Sequence, residues 1–373
     1  MSNSSGVQHR IYWLDLARAI AIISVTFNHA LSRSFFTRSG TQLEFLQMSR
    51  FGSFVKAFLY MFSRIGVPLF LMITGALLLK RNYEDRETTR RFLRHNWLGL
   101  LRTTEIWFVI MFWYLQVLRD SPLRTEGIGK ALLRFLSTLL FIDPYTMSSM
   151  WYMSMILLVY LMIPVISLGI NKIGDRFFFL LFTISILCGM IVPNINTILY
   201  AAGSTMTIDL AITITDLFSL YFIYILAGYW ISEKKLEKIG TSLIVICLII
   251  SALGTTIFQY WIYSTASDYF LCYADFGILL TGALLFELLR RKAGLLEKVK
   301  KPVVFLSRIS FGIYFVHICI MTGLYSVLGK VSSIERFPKF FVLETVSFFL
   351  SIFIIWITSK NKKIGQYLYL IKE

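Results

Sequence analysis

Charge is what this sequence has least of. Asp, Glu, Lys and Arg make up 16% of its 373 residues, where a soluble domain carries about a quarter, and 57% of the residues are hydrophobic. That balance excludes an ordinary soluble domain and indicates a polytopic membrane protein. Cysteine is scarce too. Cys188, Cys247, Cys272 and Cys319 all fall in apolar runs, so they read as buried packing residues and not as a disulfide framework. No ligand cluster suggests a metal, and none is expected. With only four histidines and seven prolines, each one that interrupts an apolar run needs a reason. There is no internal repeat, no low-complexity tract and no window resembling a soluble domain, so residues 1–373 are expected to form a single transmembrane domain. The first apolar run lacks a small-residue cleavage site and does not read as a signal peptide.

What the chain has instead is long apolar runs. Ten candidate spans fall at about 11–31, 57–79, 97–118, 149–170, 177–200, 210–231, 241–263, 270–289, 303–328 and 338–358, each near the roughly 20 residues a helix needs to cross a bilayer. Residues 45–55 could form an interfacial helix. The expected fold is all-α, about ten transmembrane helices around a polar central cavity. Basic residues outnumber acidic ones, 37 to 21, for a net charge of +16. With the N-terminus inside, 22 Lys and Arg fall in cytoplasmic segments and 11 in outer loops. This bias explains the basicity without nucleic acid and expects both termini to be cytoplasmic, in a multi-pass protein of the cell membrane.

The first span carries Asp15, Arg18 and His29, although a charge at membrane depth costs about 2.5–3.5 kcal/mol on insertion scales. Eleven steps at ~100° per residue bring His29 back to the face of Arg18, roughly 16 Å along the axis. Asp15 lies one turn before Arg18, with Ile22 and Val25 between the two polar ends. A stripe of this kind must look into protein or water and not into lipid.

Other polar residues in or beside spans are less specific. Pro68, with Gly66 and Gly75 loosening the helix, predicts a break near residues 64–68. Arg64 is a lone cation there, either snorkelling to the surface or functional. Arg91 and Arg94 stand one turn apart at the foot of the third span, explained by topology or by a phosphate clamp; His95 reads as surface. Arg102 and Glu105 are spaced to neutralise each other. Trp151 and Tyr152 read as an interfacial aromatic belt. Asp216, Asp275 and Glu344 are intramembrane carboxylates expected to face the bundle interior. In the ninth span Ser310, Tyr314 and His317 share a face, while Arg308 points away from His317.

The order of these motifs resembles the membrane-bound acyltransferase family 3. Asp15-Leu-Ala-Arg18, then ten residues to His29, resembles the family's opening helix. Gly66, Val67, Pro68, Phe70, Thr74 and Gly75 match its next run, Arg91-Phe-Leu-Arg94 its basic segment, and Ser310-Phe-Gly312-Ile313-Tyr314-Phe-Val-His317 its late run. The chain departs from members with a W-S-L-x-x-E run, for Trp151-Tyr-Met-Ser154-Met lacks the acid.

The resemblance implies transfer of an acyl group, commonly acetyl, from cytoplasmic acyl-CoA to a hydroxyl of a cell-envelope or surface carbohydrate. It places the chain with the stand-alone members. No tightly bound cofactor is implied; acyl-CoA is the donor substrate, and a homo-oligomer is compatible with the sequence. His29 fits a general base or transient acyl carrier and Arg64 an oxyanion donor. Arg18, Arg91 and Arg94 suit the phosphates of the donor. Asp15 orients Arg18, and Ser310, Tyr314 and His317 position substrate or support the fold. A transporter or exporter of a glycan or lipid-linked sugar is the alternative, since buried Arg, His and acids also describe that class.

Overall fold

The chain is described here from a computed structural model covering residues 10–35, 41–118, 127–142, 150–210, 220–265, 271–328 and 335–371. Among these residues there are helices and no strands. In chain order they are α1 (Tyr12–Ser34), α2 (Thr41–Gln47), α3 (Arg50–Arg64), α4 (Gly66–Leu78), α5 (Arg86–Phe92), α6 (Leu98–Leu118), α7 (Ile128–Leu139) and α8 (Trp151–Ile173). There follow α9 (Asp175–Ile186), α10 (Val192–Ala201), α11 (Leu220–Ser232), α12 (Thr241–Ser264), α13 (Phe276–Lys292), α14 (Lys300–Leu328), α15 (Arg336–Thr358) and α16 (Lys362–Tyr369).

Among the described residues eight stretches are long and apolar enough to cross a membrane. One of them, Phe276–Leu328, is a hairpin. A tight helical turn over Ala293–Val299, non-helical at Leu296, separates α13 from α14, so this stretch supplies the eighth and ninth expected spans. The sixth span is represented by the shorter α11; its expected first residues, with Asp216, lie outside the described residues. The second span begins earlier than expected, at Arg50, and residues 45–55 divide between α2 and the start of α3.

The predicted break in the second span falls at Ile65 (φ −79°, ψ −12°). The carbonyls it frees do not go unmet. Ser24 on α1 places its hydroxyl 2.8 Å from the Phe62 oxygen and 3.1 Å from the Ser63 oxygen, which matters where no water can substitute. Gly66 packs its backbone against α1, where a Cβ would come within 2.7 Å of the Ala21 oxygen. Gly75 does not loosen the helix as expected. A Cβ there would collide with the Ile225 backbone, and one at Gly228 with that of Met72. The two glycines let α4 and α11 cross backbone to backbone, a contact that only small residues permit in membranes.

α1 sits at the centre, packed on α3, α4, α13, α14 and α15. It runs parallel to α14: Asp15 meets Ser307, and Arg33 meets Thr322. α9, α10 and α12 leave most of their apolar surface exposed, as lipid-facing helices do. Ion pairs of 2.7 Å gather the basic loops at one end of the bundle: Lys80–Glu233, Lys172–Glu84 and Lys235–Asp175. Arg290 joins Glu237 at the same end. Near it, Asp85 caps α5 through Glu87 N and Thr88 N, and the Thr88 hydroxyl and these amides hold its carboxyl below its usual range. At the opposite end buried Glu44 joins α2 to Lys56 (2.6 Å) and to Arg336. No sequence pattern had linked these three.

Several polar residues differ from expectation. Arg102 forms no ion pair with Glu105 among the described residues and instead lies over the Tyr367 ring at 4.1 Å. Cys272 is exposed and the other three cysteines are half-buried. Asp275 precedes α13 and binds Asn194 Nδ2 at 2.7 Å, a structural role that fixes the loop. Glu344, by contrast, is buried as expected, with one oxygen accepting from Thr26 at 2.6 Å.

Candidate active site

The stripe on α1 becomes a site because α14 runs alongside it in parallel. Arg18 Nη1 donates to Ser307 Oγ at 3.1 Å, and ten residues further along α14 the ring of His317 lies 5.2 Å from that of His29. Eleven residues on one helix and ten on its neighbour cover the same distance, so both polar ends of the stripe face α14. Ile22 and Val25 fill the space between and are buried.

Asp15 is held differently from expectation. Its carboxylate is taken by Arg10, with contacts of 2.7 and 3.0 Å, and by the Ser307 hydroxyl at 2.6 Å. Arg18 is more distant, at 3.7 Å. Two guanidinium groups therefore share one buried acid. Ser307 bridges Asp15 and Arg18, and Arg18 is left able to reach further into the protein.

Beyond Arg18 lies a cavity of about 370 Å³. Its walls include Phe70, Thr74, Tyr152, Tyr160, Ser310 and Tyr314. It continues through Arg18, Leu77, Arg81, Ser310 and Phe311 into a mouth of about 560 Å³ at the basic end, lined also by Arg10, Asp15 and Arg308. The guanidinium groups of Arg81 and Arg308 make no hydrogen bond or ion pair among the described residues. Two unpaired guanidinium groups beside a third that is only partly neutralised form an anion-attracting entrance. Arg91 and Arg94 do not line this cavity. They occupy a small recess of about 170 Å³ with Arg90 and His95, and His95 also lines the Arg18 cavity. His95 is exposed, as expected, yet belongs to both spaces.

At its deep end the cavity is walled by aromatic rings. Tyr152 lies 5.8 Å from Tyr314, and Tyr314 lies 6.2 Å from His317. Trp151 packs on Tyr152 and, at 5.5 Å, on Tyr273. Trp151 and Tyr152 are thus interior residues and not an interfacial belt. Arg64 joins the same wall. Its guanidinium lies 4.8 Å from the Tyr60 ring centre and 5.7 Å from that of Tyr273, and Nη2 donates to the Tyr60 hydroxyl at 2.6 Å. It does not snorkel to a surface. Its Nε is buried with no acceptor, and His317 Nε2 is buried with no donor. A buried polar group without a partner calls for an explanation.

The structure thus brings together Arg18, Ser310 and Tyr314 in one cavity, Asp15 beside it, and His317 with His29 behind its inner wall. Arg64 stands in the aromatic network, and Arg91 and Arg94 stand apart. Arg10, Arg81, Arg308 and Tyr160 were missed, because a count of positive charge does not say which cations are paired and which line a cavity. Among the described residues no cluster of His, Cys, Asp and Glu could hold a metal.

An all-α bundle of membrane-spanning helices, with a polar cavity opening at one end and a histidine pair, His317 buried and His29 half-buried, beyond its aromatic wall, defines the class: a polytopic integral membrane protein with a polar interior site. Residues 11–360 match the family described as "Acyltransferase domain", and the chain belongs to this family, acyltransferase family 3. Its activity is accordingly that of an acyltransferase moving groups other than aminoacyl groups, generally onto a hydroxyl. The family favours this activity over the transporter alternative. No curated protein and no solved structure matches the sequence.

Proposed function

We propose that the protein transfers an acyl group, commonly acetyl, from acyl-CoA to a hydroxyl of a cell-envelope carbohydrate. The observation that carries this reading is the pair of adjoining cavities that run from the Arg81/Arg308 mouth, past Arg18, to Tyr152 and Tyr314, with the His317 ring 6.2 Å from that of Tyr314. Coenzyme A has a phosphate-rich head and a long neutral arm. Arginine suits the head, because its fork binds phosphate oxygens in pairs. Arg81, Arg308 and Arg18 take the phosphates nearest the mouth, and the recess of Arg91 and Arg94 takes the outlying one. The roughly 16 Å from Arg18 to His29 is comparable to an extended pantetheine arm, which brings the thioester to the rings.

There the acceptor O–H gives its proton to a nitrogen of His29, and its oxygen attacks the thioester carbonyl. Negative charge develops on the carbonyl oxygen, and the unmet Nε–H of Arg64 is available to receive it. The C–S bond breaks, and the departing thiolate recovers the proton from His29. The products are an ester and free coenzyme A. Tyr314 and Ser310 line the path and hold the arm.

In this reading the basic end is cytoplasmic and the membrane is the cell membrane. Reporter fusions after residues 85, 235 and 295, which lie at one end of the bundle, and after residue 373 are expected to report cytoplasm. An external signal at 295 contradicts this orientation.

The donor site is tested by Arg81→Ala/Arg308→Ala. A hydrogen bond to a charged group contributes about 1.5–3 kcal/mol, and each 1.4 kcal/mol is about tenfold in affinity. Coenzyme A is expected to bind the folded double variant at least about 10-fold more weakly, with a smaller dependence on salt. Equal affinity in titrations of nanodisc-embedded wild type and variant removes these residues from the donor site.

A further inference from the structure

We infer that His317 fixes the tautomer of His29 and steadies the charge that His29 acquires during transfer. The inference rests on the acyl-transfer reading above and adds a role for the second histidine, which the family motif leaves as a positioning or structural residue.

The argument starts from one nitrogen. Nδ1 of His317 lies 2.7 Å from the Ile313 carbonyl oxygen. A carbonyl only accepts, so Nδ1 carries the hydrogen, and in the neutral ring Nε2 is then a bare lone pair. His317 is fully buried, and that Nε2 has no partner. An unmet acceptor inside a membrane protein is costly unless a donor reaches it.

The ring of His29 stands 5.2 Å away at an angle of 50°, so a modest rotation of either imidazole brings nitrogen against nitrogen. An N–H of His29 directed at His317 Nε2 satisfies the unmet acceptor. It also leaves the other nitrogen of His29 as the lone pair that faces the acceptor hydroxyl. When His29 takes the hydroxyl proton, the same hydrogen bond becomes charge-assisted and stronger. The logic is that of any base oriented by a third group, with one difference. A carboxylate in this place would add a buried negative charge, whereas a neutral imidazole gives the same acceptor without it, which suits membrane depth. His317 is a positioning residue in this scheme and does not touch the reacting atoms.

Two measurements test it. Solid-state ¹⁵N NMR of the full chain, labelled with [¹⁵N]histidine in liposomes, is expected to show His317 Nδ1 protonated. It is also expected to show a nitrogen–nitrogen coupling between His317 and His29 across the hydrogen bond. Transfer assays with acetyl-CoA as the donor probe and envelope polysaccharide as acceptor are expected to show kcat about 10–100-fold lower in His317→Phe, the usual scale for losing an orienting partner. KM for acetyl-CoA should be unchanged. His317→Gln, whose amide oxygen can stand in for Nε2, should recover part of the loss. Absence of the coupling in folded wild-type protein overturns the pairing, and so does wild-type kcat in folded His317→Phe. His29→Ala reports separately on the transfer reading, so the failure of one is distinguishable from the failure of the other.

Discussion

His29→Ala is expected to lower acyl transfer by about 10²–10⁴-fold, the range typical of a lost general base, while coenzyme A still binds with wild-type affinity. The two halves of this expectation come from different ends of α1. The arginines proposed to bind the donor's phosphates sit at the basic end, roughly 16 Å from His29, so the histidine is not expected to contribute to binding the head of the donor. A tenfold change in rate is about 1.36 kcal/mol. The loss therefore corresponds to about 3–5 kcal/mol of transition-state stabilisation, more than an exposed contact supplies. The contrast with Arg81→Ala/Arg308→Ala is diagnostic: one variant loses kcat and the other loses affinity. Initial rates in proteoliposomes, normalised to folded protein, distinguish them. Transfer near the wild-type rate by His29→Ala removes it from the chemistry.

Gly75→Ala is expected to be the most damaging of the small substitutions. Overpacking usually costs about 1–3 kcal/mol because side chains can give way. At Gly75 the obstacle is the Ile225 backbone, which cannot rotate aside, so the α4–α11 crossing must open. Gly228→Ala should fail in the same way against Met72. Gly99 on α6 is the control, for a Cβ there meets nothing within 4 Å, and alanine in a helix interior is favoured over glycine by about 0.5–1 kcal/mol. Fluorescence-detected size exclusion after a heating series should show Gly99→Ala surviving and Gly75→Ala lost. Equal survival of the two would contradict the close crossing.

The sequence made the helices legible because apolar runs of membrane length are a direct consequence of the solvent they need. The break at Ile65 was legible because Pro68 lacks an N–H, and the Arg18–His29 stripe because eleven residues bring a helix back to the same face. The tertiary neighbours were not legible. Arg10 reads as one more basic residue before the first span, yet it takes Asp15 more directly than Arg18 does. Arg308 points away from His317 along α14, and for that reason opens on the mouth at the basic end. Trp151 and Tyr152 stand where an interfacial belt is expected, and only the position of Tyr314 on a neighbouring helix shows that they line the interior. Gly75 was read by its local effect, loosening a helix, when its role lies in the helix packed against it. In each case the missing information is the register between helices. Packing sets that register, and no period within one helix reports it.

The measurement that tests acyl-CoA-dependent transfer most directly uses [1-¹⁴C]acetyl-CoA and envelope polysaccharide with purified protein in liposomes. The label is expected to leave acetyl-CoA with release of free coenzyme A thiol and to appear in an alkali-labile ester on the polysaccharide. Transfer should require folded protein and His29. Label that stays on acetyl-CoA, in the presence of folded wild-type protein that binds coenzyme A, contradicts transfer from this donor to this acceptor.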